Sequence, residues 1–123
     1  MTPQIYNIKK QYAGDTFKGI QLKASRVSGL TNVRTPIDLT DVEINMQIRT
    51  ANRTSIIKDL KIGTGITLID AENGIFRIDP FKNPKGGDYV YDIQFTYSDG
   101  TVDTYVKGSF SVEFDITNNY VQR

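Results

Sequence analysis

The groups in this 123-residue chain that could do chemistry are carboxylates, amines and hydroxyls, because the chain has no histidine and no cysteine. Ser-His-Asp and Cys-His nucleophiles are thereby excluded, as are disulfides and thiolate metal sites. The commonest general base and zinc ligand is also missing. A pair of carboxylates could still act as a glycosidase pair, and Asp79, Asp92 and Asp103 are the candidates. All three fall in or beside stretches that alternate like strands, where a solvent-facing carboxylate is the plainer reading. Gly63-Thr64-Gly65 opens like a dinucleotide fingerprint, but Leu68 stands where the third glycine belongs and no helix follows, so it reads as a turn. Lys85-Gly86-Gly87 lacks the spacing of a phosphate-binding loop. Asp70 to Gly74 has the composition of a calcium loop, yet its glycine comes one position early and Phe81 stands at the place of the bidentate glutamate. Asn52-Arg53-Thr54 matches a glycosylation acceptor without a secretory signal to accompany it. Tyr6, Tyr12 and Phe17 lie among Lys9, Lys10 and Lys18, the mixture a nucleic-acid platform needs, but rings packed at a sheet edge account for them more simply. No catalytic, cofactor-binding or metal-ligating residue is assigned, and no enzyme is expected.

Net charge is +1, so no overall field draws the chain to nucleic acid or to a membrane. Its distribution is uneven. Residues 1–34 carry Lys9, Lys10, Lys18, Lys23, Arg26 and Arg34 against Asp15. Residues 88–123 carry Asp88, Asp92, Asp99, Asp103, Glu113 and Asp115 against Lys107 and Arg123. Solvated strand faces explain this, and so does a contact between neighbouring copies. No apolar run approaches the ~20 residues of a membrane span. The start, MTPQIYNIKK, lacks the apolar segment of a secretory signal, so synthesis and residence in a cytoplasm are expected.

The elements that must position these groups are strands. The chain is organised around residues 88–114, two long alternating runs folded at Asp99-Gly100. Tyr89, Tyr91, Ile93, Phe95 and Tyr97 form one face of the first run, with Val90, Asp92, Gln94 and Thr96 on the other. In the second run Val102, Thr104 and Val106 share a face, and Phe110, Val112 and Phe114 continue the apolar side after a bulge expected at Gly108. Upstream, Val42, Ile44, Met46 and Ile48 alternate strictly with Glu43, Asn45, Gln47 and Arg49, a strand with one wet and one dry face. Ile37 and Leu39 are expected to plug the core before it. Ile5–Lys10 reads as an edge strand protected by Lys9-Lys10. Residues 16–24 read as a strand bulged near Gly19, 25–35 as a surface loop and 55–60 as a short strand. Residues 66–69 and 75–78 form a pair across Asn73-Gly74, and residues 80–87 form a loop. About eight short strands and no helix predict an all-β, immunoglobulin-like or Greek-key antiparallel sandwich, a single domain over 1–123 with loose arms at 1–4 and 116–123. A small barrel is the alternative closure.

PIDLTDVEINMQIR, GITLIDAENGIFRID and GDYVYDIQFTYSDGTVDTYVKGSFSV together resemble the small β-sandwich modules of tailed-bacteriophage virions, found at the N-terminus of baseplate upper proteins and in related tail and head-decoration proteins. The likeness covers roughly residues 15–115 and lies in turns and core positions. It implies a virion building block made in the bacterial host cytoplasm, acting through contacts with other virion proteins and with copies of itself. It brings no catalytic residues. The chain stops soon after the sandwich, which under this resemblance favours a connector, adaptor or decoration role over receptor binding. Met1–Gln4 and Asn118–Arg123 are the expected contact arms. A carbohydrate-binding or adhesin module is the alternative, weakened by the absence of tryptophan and kept open by seven tyrosines.

Overall fold

The computed structural model describes residues 3–27, 30 and 33–114. In chain order its strands are β1 (Gln4–Ile5), β2 (Ile8–Tyr12), β3 (Thr16–Phe17), β4 (Ile20–Lys23), β5 (Ser25–Val27), β6 (Arg34–Pro36), β7 (Glu43–Thr50), β8 (Ile56–Ile62), β9 (Gly65–Asp70), β10 (Ile75–Ile78), β11 (Phe81–Lys82), β12 (Gly87–Thr96) and β13 (Val102–Glu113). The described residues contain no helix, so the chain is all-β. One mixed sheet runs in the order β1-β13-β12-β7-β8-β9-β10-β4, with β2 also on β13. Two-stranded pairs β3–β11 and β5–β6 flank it.

Alternation builds the centre. β12 pairs antiparallel with β7 from Tyr89 opposite Thr50 to Thr96 opposite Glu43, and with β13 on its other side. The register puts Ile44, Met46, Ile48, Tyr89, Tyr91, Ile93 and Phe95 on one buried face, as the sequence pattern requires. Ile37 and Leu39 are buried beside them.

The sheet then curls over this face. Phe76 on β10 meets Phe95 on β12 edge-to-face at 5.9 Å, although three strands separate them in the sheet order. Phe95 in turn stacks on Tyr105 at 5.0 Å. The curl is made at Gly63-Thr64-Gly65, where β8 steps directly into β9 through only two parallel pairs, Lys61–Gly65 and Ile62–Ile66. Both glycines there have φ near +90° (+87° and +93°), a region side chains avoid. At the far end Phe17, Phe81 and Phe110 close the core, with Phe17 4.9 Å from Phe81 and 5.7 Å from Phe110.

Several expectations need correcting. The sheet is mixed, not antiparallel throughout, because β1 and β2 lie parallel to β13 and the β8–β9 corner is parallel. Among the described residues thirteen segments replace about eight, since local kinks cut runs that read as continuous. Residues 4–12 form two strands because the chain bends at Tyr6-Asn7 over Gly108. Gly19, at φ +84°, breaks residues 16–23 into β3 and β4 where a bulge was expected. The supposed loop at 25–35 contains the β5–β6 pair, and the loop at 80–87 contains β11. The ribbon's bulge falls at Tyr105, not Gly108: Ile93 faces Val106 while Gln94 faces Thr104. Tyr105 and Val106 are therefore both buried, whereas Val102 and Phe114 are exposed.

Candidate functional site

An open concavity lies on the wet face of the central strands. Because β7, β12 and β13 bury one side, their other side presents Gln47 and Arg49, then Val90, Asp92 and Gln94, then Val102, Thr104 and Lys107. With Pro3 and Arg53 at its margins this face forms an open trough of about 750 Å³. Register sets its rows: Gln47, Asp92 and Lys107 stand side by side across three strands, as do Asn45, Gln94 and Thr104.

Arg49 is preset. Its Nε and Nη2 both donate to Gln47 Oε1, at 3.1 and 2.7 Å, and Nη1 reaches the Arg53 carbonyl at 3.5 Å. Asp92 is half-buried, and burial holds its carboxyl above the usual carboxylate range, with the Arg49 charge offsetting part of the effect. Its backbone is paired with β7 and β13, but among the described residues its carboxylate receives no hydrogen bond, and Lys107 stands opposite it without forming an ion pair.

Of the three carboxylates named from sequence, the trough brings two together. Asp92 lies in its floor and Asp103 at its border, where the Asp103 charge acts on the Tyr97 hydroxyl. Asp79 is elsewhere, accepting from Thr67 Oγ1 at 2.8 Å. Asp70, in the loop that looked like a calcium site, accepts from Asn73 Nδ2 at 2.8 Å, and no group of three or more acidic side chains able to hold a metal occurs among the described residues. Tyr6 and Tyr12 are exposed near Lys9 and Lys10 while Phe17 is core, so the three rings do not make one platform. Gln47 and Arg49 were legible only as the wet half of an alternating strand. Their meeting with Asp92 and Lys107 depends on strand order, which no local pattern records.

A second surface lies outside the trough. The β5–β6 pair stands outside the main sheet, and Val27 at the end of β5, Val33 before β6 and Leu30 are exposed. Its base is fixed. Ile37 N–H donates to the Ala24 carbonyl at 3.0 Å, Tyr105 Oη donates to the Lys23 carbonyl at 3.1 Å, and Arg26 Nη2 donates to Tyr97 Oη at 3.2 Å. β2, an outer strand of the sheet, carries the exposed Lys9 and Lys10 that the sequence placed at an edge. Of the expected contact arms, Pro3 borders the trough and Gln4 is in β1, while Met1, Thr2 and 118–123 lie outside the described residues.

No protein-family model matches the chain, and no curated protein matches it. Among solved structures it is similar to CopC from Methylosinus trichosporium OB3b, with 14% identity over 89% of this chain and 86% of that one, at a TM-score of 0.49. A likeness that distant carries no functional residue across.

Proposed function

We propose that this chain is a structural protein of a tailed-bacteriophage virion, a tail, baseplate, connector or head-decoration subunit. In this reading it has an immunoglobulin-like Greek-key sandwich fold and works through protein–protein contacts. The observation that supports it most is the exposure of Val27, Leu30 and Val33 at and beside the β5–β6 pair, whose base is hydrogen-bonded to the core. Exposed apolar side chains beside a strand pair anchored to the core are a feature of surfaces made to be covered by another protein. The partners in this reading are other virion proteins and further copies of the chain, assembled after synthesis in the host cytoplasm. The basic side chains of the first third and the acidic ones of the last suit a contact in which one surface meets a different surface on the next copy, the arrangement that closes rings.

The deciding experiment is mass spectrometry of purified phage particles from the source strain, with copy number measured against the major capsid protein. A fixed, symmetric copy number is expected. A protein abundant in the lysate and missing from the particles refutes the proposal.

A further inference from the structure

We infer that the trough across β7, β12 and β13 is a binding site for a neutral, hydroxyl-rich ligand, an oligosaccharide. The inference stands apart from the virion reading, because it concerns the wet face of β7, β12 and β13 and not the β5–β6 pair.

Size and shape come first. About 750 Å³ of open space lies within the range of ligand sites, and an open trough admits the middle of a chain as well as its end. The lining then selects the class. Arg49, Asp92 and Lys107 place positive, negative and positive groups within one patch three strands wide, with Gln94 and Thr104 in the next row. A polyanion would meet Asp92, and a polycation would meet Arg49 and Lys107. Hydroxyl groups both donate and accept, so an uncharged polyol can satisfy every member of such a lining. Val90 supplies an apolar strip against which the C–H faces of sugar rings can rest.

Asp92 is the second argument. Its carboxyl is half-buried on a sheet face and, among the described residues, receives no side-chain hydrogen bond, so the Arg49 charge offsets only part of the cost of burying it. A serine or threonine there would pair equally well with its strand neighbours. Burial also pushes its carboxyl up, the behaviour of a group held at some loss of stability. Arg49, by contrast, is locked by Gln47 into one orientation, so its remaining donor capacity is presented without further ordering. An acceptor left unused beside a preset donor is the pairing that two adjacent sugar hydroxyls complete.

The test is a titration of the full chain with maltohexaose, cellohexaose and chitohexaose, followed by calorimetry and by amide NMR shifts. Saturable binding of at least one is expected, with shifts centred on Gln47, Asp92 and Lys107. Asp92→Ala and Lys107→Met should each weaken it about tenfold or more, the loss of one charge-assisted hydrogen bond, while the melting temperature does not fall. Asp79→Ala, outside the trough, should leave binding unchanged. No binding by any of the three at millimolar concentration overturns the inference, and so does binding that survives both trough substitutions. Tighter binding of a heparin-derived hexasaccharide, or of a charged peptide, to these residues also overturns it and identifies the trough as a charged docking surface. None of these outcomes bears on whether the protein is found in virions, so the two proposals fail separately.

Discussion

Gly108→Ala should be the most damaging single-methyl change in the chain. Gly108 sits in the middle of β13, opposite Tyr91. A Cβ built there would meet the Tyr6 carbonyl oxygen, a backbone atom that cannot swing aside. The edge must therefore lift. Lifting it strains three hydrogen bonds: Tyr6 N–H to the Lys107 carbonyl at 2.9 Å, Tyr91 Oη to the Tyr6 carbonyl at 2.6 Å, and Ser109 N–H to Asn7 Oδ1 at 3.1 Å. At roughly 1 kcal/mol each, with about 1–3 kcal/mol more for leaving the Tyr91 hydroxyl unpaired, the expected loss is about 4–6 kcal/mol. Urea denaturation with an unchanged m-value measures it. Native-state hydrogen exchange should show the amides of Ile5 and Tyr6 losing protection first. Gly100→Ala is the control. Nothing lies within 4 Å of its added methyl, and only its φ of +89° is unfavourable, so a loss of about 1 kcal/mol is expected. If Gly108→Ala loses no more than Gly100→Ala, close approach of β1 and β2 is not what holds that edge, and the reasoning fails.

Phe95→Ala should lose about 3–5 kcal/mol by denaturation, because its fully buried ring touches both Phe76 and Tyr105 and its removal leaves a cavity between the sheet's two arcs. Asp99 and Asp92 should tilt the pH profile in opposite senses. The Asp99 carboxylate accepts from Thr101 N–H at 2.9 Å and Thr101 Oγ1 at 2.7 Å, which holds its pKa below the ordinary 3.8. Its contribution is thus present above 3.8 and lost as pH falls through the lower folded value, and Asp99→Asn should flatten the acid limb of a melting curve taken against pH. Asp92 is raised, by burial against the opposing Arg49 charge, with Lys107 and Asp103 also in the trough. Its contribution is full below 3.8 and lost as pH rises through the higher folded value, so Asp92→Asn should gain stability relative to wild type at neutral pH and not at pH 3. If the chain self-associates through its basic and acidic segments, sedimentation should show dissociation as salt rises past ~0.15 M. Association indifferent to salt would refute that contact.

The residues by themselves determined the strand interiors. Two-residue alternation leaves no freedom about which of Ile44, Met46, Ile48, Tyr89, Tyr91, Ile93 and Phe95 face inward, because a slip of one residue would bury Arg49 and Asp92 in their place. What only the tertiary structure decided was everything that depends on one strand meeting another. Gly108 looked like the site of a bulge, and its role emerged only when the Tyr6 carbonyl was found against it. The bulge belongs to Tyr105, whose ring is needed between Phe95 and the Lys23 carbonyl. The arm at β5–β6 is polar and glycine-interrupted in sequence, and nothing local foretells that its two sides pair. The trough is the same case. Gln47, Asp92 and Lys107 are far apart in the chain and neighbours only by register, since a pattern of period two fixes a residue's face and says nothing about which strand will lie beside it.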